Sequence, residues 1–200
     1  MANSHIFIYS FFPFIFPLAI ITVAFAVYFL MNRQRNDALR GLSRRFSGSM
    51  PRFSLYPTFT GEYQGIRFSI VLVPAGRNTP DYLQVFVLKP SFFKLTVYKE
   101  NVLSTFGEKL GLVKEIKTND PEFDKEFLIF SRQVSQAATY LANSEIKSAI
   151  RELFTRGFNK VLIDGLKIFV QKPRYSLGFD VTETQIEEIL NRLIALSRGL

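Results

Sequence analysis

Residues 120–127 read DPEFDKEF, so four carboxylates (Asp120, Glu122, Asp124, Glu126) fall within seven positions. Carboxylates grouped in this way can bind calcium or magnesium through oxygen alone, or serve as general acid and base. The stretch lacks the ligand spacing and the turn glycine of a calcium-binding hand. It has instead the form of a helix start, with Asp120 as cap and Pro121 in the first helical position. Glu122 and Asp124 then lie where the helix dipole favours negative charge. Phe123 and Phe127 are four apart and share one side of a turn. Lys125 is a local counter-charge. Architecture accounts for the whole stretch, so no catalytic residue and no metal ligand is assigned to it.

The remaining inventory for chemistry is thin. The chain has no cysteine, which removes disulfides, thiolate nucleophiles and thiolate metal sites. Its one histidine, His5, precedes the apolar segment and is read as a free terminal side chain, so no imidazole follows residue 5. That argues against hydrolase, nuclease or metalloenzyme chemistry in the rest of the chain. There is no phosphate-binding GxxxxGK[ST] loop, no GxGxxG turn and no GxSxG elbow. Arg77, in the loop PAGRNTP, is read as a solvated arginine. Tyr82, Phe86, Phe92, Phe93 and Tyr98 lack interleaved basic residues, so they are read as sheet packing rather than as a base-stacking platform. No cofactor is implied.

These residues must be positioned by something, and the first large feature is an anchor. No side chain is charged from residue 6 to residue 31, a run longer than the roughly 20 residues that cross a bilayer core. Tyr9 and Tyr28 lie near its ends, where amphipathic rings favour the interface. Pro13 and Pro17 each remove a backbone donor, so the first half is expected to kink or to begin irregularly. The AFA at 24–26 has the form of a signal-peptide cleavage site, but no positive charge precedes the apolar run and the run continues past it. Phe11, Phe14, Phe25 and Phe29 offer bulky surface for packing on other transmembrane helices. Residues 1–31 are therefore expected to be an uncleaved, single-pass anchor.

A basic stretch follows at once. Residues 32–52 hold Arg33, Arg35, Arg40, Arg44, Arg45 and Arg52 against one acid, Asp37, so they carry +5 of the formal +8. Residues 53–200 carry the remaining +3, which gives no basic face of the kind nucleic acid requires. Arginines just after the span keep that side in the cytoplasm. The expected location is a bacterial inner membrane, with the N-terminus outside and an α+β domain (53–200) in the cytoplasm. Arg33, Arg35, Arg40, Arg44 and Arg45 are the candidates for contact with anionic lipid head groups. Leu39, Leu42 and Phe46 recur at helical spacing, which suits an amphipathic helix over residues 36–46 lying on the membrane; the plainer reading, that the arginines only set topology, takes precedence, and SGSMP (47–51) reads as a short flexible link.

The domain reads as a mostly antiparallel sheet with helices packed on it. Thr58–Tyr63 and Ile66–Val73 pair about Gln64-Gly65, and Tyr82–Leu88 and Lys94–Lys99 follow as strands. Residues 101–111 form a weak helix. Residues 115–118 are extended, and Phe127–Ser131 is a compact apolar strand. Val134–Leu141 is a short helix. A longer helix is capped by Ser144 and stopped at Gly157, with Ile146, Ala149, Ile150, Leu153 and Phe154 on one face. Residues 161–163 and 166–170 flank Asp164-Gly165, a strong hairpin signal. Thr182 and Gln185 make a capping box for a last helix whose stripe is Ile186, Ile189, Leu190, Leu193 and Ile194.

The run DPEFDKEFLIFSRQVSQAATYLANSEIKSAIRELF, followed by VLIDGLKIFV, resembles a family of bacterial membrane-associated proteins of unknown function over roughly residues 118–171. The resemblance implies a fold and a membrane setting, and no catalytic residue. Three functions are then ranked. The first is a non-catalytic, membrane-anchored interaction module, an accessory or assembly subunit whose partners are integral membrane proteins. The second is a lipid- or small-ligand-binding domain with a pocket between the sheet and the last helix. The third is a carboxylate-dependent enzyme.

Overall fold

The structure is a computed structural model describing residues 4–52, 54–100 and 114–200, with side chains from residue 17 onward apart from Met31 and Lys114. The helix expected at 101–111 and the side chains of Phe11 and Phe14 lie outside the described residues. The chain divides into two compact units, Met1–Asp37 and Ala38–Leu200.

The first unit is helical, within α1 (Ser4–Gly41). The helical assignment continues through Pro13 and Pro17. Leu18, Ile20, Ile21, Val23, Phe25, Val27 and Phe29 are all more than half exposed. A helix that is apolar on every side belongs in a medium as apolar as itself. The stretch Pro17–Arg44 is long and apolar enough to cross a membrane.

The second unit is α+β, as the pattern predicts. Its strands are β1 (Ser47–Ser49), β2 (Thr58–Tyr63), β3 (Ile66–Val73), β4 (Tyr82–Leu88), β5 (Lys94–Lys99), β6 (Lys114–Glu115), β7 (Phe127–Ser131), β8 (Lys160–Asp164) and β9 (Lys167–Pro173). They form one antiparallel sheet in the order β1-β2-β3-β4-β9-β8-β5-β7-β6, open at β1 and β6 among the described residues. The helices are α2 (Pro121–Glu126), α3 (Val134–Leu141), α4 (Ser144–Thr155), α5 (Leu177–Asp180) and α6 (Glu183–Arg198). α6 lies against β4 and β9 and against α4, while α2 lies against β7. The core between the layers takes Phe68, Ile70 and Leu72 from β3, Leu83, Val85 and Val87 from β4, and Val161 and Ile163 from β8. Leu95 and Val97 of β5 and Ile168 and Val170 of β9 complete it from the sheet, and the α4 and α6 stripes close it from above.

Turn chemistry explains the hairpins. Gln64 and Gly65 both have positive φ (51° and 76°), the requirement of a tight turn matched to strand twist. The second hairpin differs from its sequence reading. Leu166 N–H donates to the Asp164 carbonyl at 2.8 Å across Gly165, so Leu166 belongs to the turn and is 73% exposed.

Several expectations are corrected. Ser47–Ser49 is an edge strand paired with 60–62 of β2, not a flexible link. A Cβ on Gly48 would lie 2.5 Å from the Thr60 carbonyl oxygen, which is why this strand can approach so closely. Leu39, Leu42 and Phe46 are at most 2% exposed and pack in the domain core, so that apolar stripe serves the protein interior rather than the bilayer. The α4 cap is Asn143, whose Oδ1 accepts from Glu145 N–H at 2.8 Å, with Ser144 as first helical residue. Thr182 caps α6 by accepting from Gln185 N–H, but the Gln185 carboxamide accepts instead from Arg156 Nη1 at 3.0 Å.

One buried ion pair ties β9 to the α4–α6 layer. Lys172 Nζ donates to Asp180 Oδ1 at 2.6 Å and to the Arg156 carbonyl at 2.7 Å, and Asp180 Oδ2 accepts from Ser176 N–H at 2.8 Å. Asp180 is 6% exposed.

Candidate functional site

The acidic stretch is spent on structure. Asp120 Oδ1 accepts from Phe123 N–H at 3.1 Å, the cap expected of it, and its Oδ2 accepts from Lys147 Nζ at 2.6 Å. Asp124 holds the N–H and the hydroxyl of Thr118 at 2.8–3.0 Å. Glu126 pairs with Arg151 at 3.4 Å. Phe123 stacks on Phe127 at 4.7 Å between centroids, with the Arg151 guanidinium 5.2 Å over its ring. The stretch closes the seam between α2, β7 and α4.

The juxtamembrane arginines have separate fates. Arg33 lies 4.0 Å from Asp37, both exposed. Arg35 is buried, whereas Arg40 and Arg44 are exposed. Arg45 forms a two-pronged pair with Glu187 on α6 (Nη2 to Oε1 2.8 Å, Nε to Oε2 3.2 Å), and Tyr63 O–H donates to the same carboxylate at 3.0 Å. Arg45 therefore serves as a latch from the end of the 3₁₀ turn Leu42–Arg44 to the last helix. Phe25 and Phe29 are 73% and 68% exposed on α1.

The Lys147 ammonium, then the Phe123 N–H, hold Asp120 below the usual carboxylate range. Arg45, then Tyr63, do the same for Glu187. Both folded-state values are depressed, so both contributions to stability are complete above the ordinary carboxyl value of about 4. They are lost as pH falls through the depressed values. Thermal melts between pH 7 and pH 3 are expected to show a declining Tm below about pH 4. Asp120→Asn with Glu187→Gln should lower Tm at pH 7 and flatten that decline.

The sheet face away from the helices carries what the sequence reading missed. A cross-strand row runs Ser69, Phe86, Phe169, Leu162, Thr96, Phe130 over β3, β4, β9, β8, β5 and β7. All but Ser69 and Phe130 are half-buried, and Phe130 is 9% exposed. The next row runs Val71, Gln84, Gln171, Lys160, Tyr98, Leu128. Lys167 Nζ lies 5.0 Å over the Phe86 ring and 6.0 Å over Phe169, and Lys160 Nζ lies 5.6 Å over Tyr98. Basic residues are thus interleaved with aromatics on this face. They come from β8 and β9, which the topology inserts between β4 and β5. Of the aromatics read as packing, only Phe93 is buried, while Tyr82, Phe86 and Tyr98 are on the open face and Phe92 is 96% exposed. A doublet of alternating patterns in β4 and β9, with Phe on the non-core positions, was the available signal.

A concavity of about 470 Å³ lies between the 91–93 segment, α3 and the residues after α6. Phe92, Phe93, Tyr140 and Leu200 line it with Gln136 and Asn143. Its floor is firm. Tyr140 O–H donates to the Leu196 carbonyl at 2.7 Å, its ring lies 5.2 Å from that of Phe93, and burial pushes its phenol pKa up.

No protein-family model matches the chain, and no curated protein matches it. Among solved structures, the chain is similar to the crystal structure of the mycobacterial trehalose monomycolate transport factor A, TtfA. The identity is 8%, the TM-score 0.56, and the likeness covers 84% of this chain and 93% of that one. What the two share is the fold.

Proposed function

We propose that this protein is a non-catalytic, membrane-anchored interaction module, an accessory or assembly subunit of a larger membrane complex, with transport as the process its fold neighbour suggests. The observation that carries the reading is a domain with a complete core on one sheet face and a second, half-exposed aromatic face left over. Half-exposed aromatics make effective anchors for a partner surface. The apolar span supports a membrane setting, with Phe11, Phe14, Phe25 and Phe29 packing on partner helices and Arg33, Arg40 and Arg44 near anionic head groups. The arginines that follow the span support a cytoplasmic side for the domain. Because Asp120, Asp124 and Glu126 have structural partners, an enzyme working through that stretch is the weakest reading.

The test is extraction of the native membrane in mild detergent, size separation, and mass spectrometry of what travels with the chain. Co-migration with a defined set of integral membrane proteins is expected, weakened several-fold by Phe86→Glu or Phe169→Glu with folding intact by circular dichroism. Migration with lipid alone sinks the subunit reading. It would favour a small-ligand reading, with the ligand in the cleft beside Tyr140, which lies between the 91–93 segment, α3 and the residues after α6 rather than between the sheet and the last helix as the sequence reading expects.

A further inference from the structure

The β8–β9 turn and the segment joining β4 to β5 meet at one end of the sheet and form a single tip. Lys89 N–H donates to the Leu166 carbonyl and Ser91 N–H to the Gly165 carbonyl, both at 3.0 Å. Ser91 Oγ bonds the Phe93 carbonyl at 2.9 Å, and Phe93 is buried against Tyr140. The tip is therefore held from both sides rather than left to fluctuate. What it presents outward is apolar: Phe92 is 96% exposed, Leu166 73% and Leu88 45%. Single exposed apolar residues are ordinary on a protein surface, but three gathered on one pinned edge are not.

The charge around these side chains is mainly positive. Residues 88–94 and 164–167 hold three lysines (Lys89, Lys94, Lys167) and one acid, Asp164, which lies opposite Lys94 in the β5–β8 ladder. Apolar prongs set in a collar of lysines match a bilayer surface, where rings and leucines enter the head-group boundary and ammonium groups remain with anionic phosphates. A protein groove would require no such collar, and a polynucleotide no leucine prongs.

We propose that this tip is a second membrane contact: Phe92 and Leu166 insert into the interfacial zone of an anionic bilayer, with Lys89, Lys94 and Lys167 on the head groups. The contact would fix how the domain lies at the surface in addition to the anchor helix. The inference rests on the membrane-anchored reading above, and its test separates the two.

The chain has no cysteine, so Phe92→Cys or Leu166→Cys places one fluorophore without background. Full-length protein carrying bimane at 92 or 166, or at exposed Ser54 on the loop before β2 as control, is reconstituted into phosphatidylcholine vesicles with and without phosphatidylglycerol. Both kinds of vesicle are prepared with and without brominated acyl chains on the phosphatidylcholine. Incorporation is read first by flotation, and a chain that fails to float refutes the anchored reading itself. Given flotation, the proposal expects brominated-lipid quenching at 92 and 166 but not at the control, dependent on the anionic lipid. Lys89→Gln and Lys94→Gln should each lower the inserted fraction roughly fivefold. Labels at 92 and 166 that stay as water-accessible as the control in floated vesicles, or quenching indifferent to phosphatidylglycerol, overturn it.

Discussion

Lys172→Met is expected to destabilise the protein by about 3 kcal/mol, the cost of removing one partner of a largely buried ion pair. The Lys172 side chain is 17% exposed and that of Asp180 8%. Lys172 is the only cation within bonding distance of Asp180 among the described ion pairs, and it also satisfies the Arg156 carbonyl at the end of α4. Methionine fills similar space but takes the ammonium away from both Asp180 Oδ1 and the Arg156 carbonyl, so the Asp180 carboxylate keeps the Ser176 N–H and loses its cation. For a chain of this size the loss corresponds to a Tm lowered by roughly 6–12 °C. Thermal unfolding in mild detergent, followed by far-ultraviolet circular dichroism, measures it. Adding Asp180→Asn should recover part of the loss, because the stranded charge is then gone. A double variant as unstable as the sum of the two singles would contradict the coupling.

Phe123→Ala is expected to cost about 3–5 kcal/mol, the range for deleting a buried aromatic ring. Phe123 is 0% exposed, stacked on Phe127, which in turn lies 4.8 Å from Phe154 of α4. Its removal opens a cavity where α2, β7 and α4 meet. Glu122→Ala, one residue away and exposed, should change stability by no more than about 0.5 kcal/mol. This contrast tests the architectural account of the acidic stretch by urea denaturation. Equal effects at the two positions would mean that the stretch is held by something other than this packing.

Local chemistry makes most elements legible in the sequence. The positive-φ demand at Gln64-Gly65, the Asp120 cap before Pro121 and the five-residue stripe of α6 are each dictated by neighbours within a few positions in the chain, and β2, β3, β4, β5, β7 and α3 have the expected bounds. Sequence and structure part where a distant partner decides. SGS at 47–49 has no strand propensity, yet it pairs with β2 because Gly48 and Gly61 let two backbones approach. Leu39, Leu42 and Phe46 have a periodicity that suits a bilayer and a protein core equally well. The second unit offers them buried partners such as Phe68, 5.4 Å from Phe46.

The same division holds for function. The apolar span, the arginines behind it, the α+β class, the lack of cysteine and the lack of histidine after residue 5 are legible from residue type and short spacing. The tertiary structure alone decided the interleaved aromatic and lysine face and the pinned tip. Strand order placed β9 and β8 between β4 and β5, joining residues some 80 positions apart such as Phe86 and Phe169. Such pairing is set by which strands can bury their apolar faces together beneath the helices, and no window of the sequence contains both halves of it.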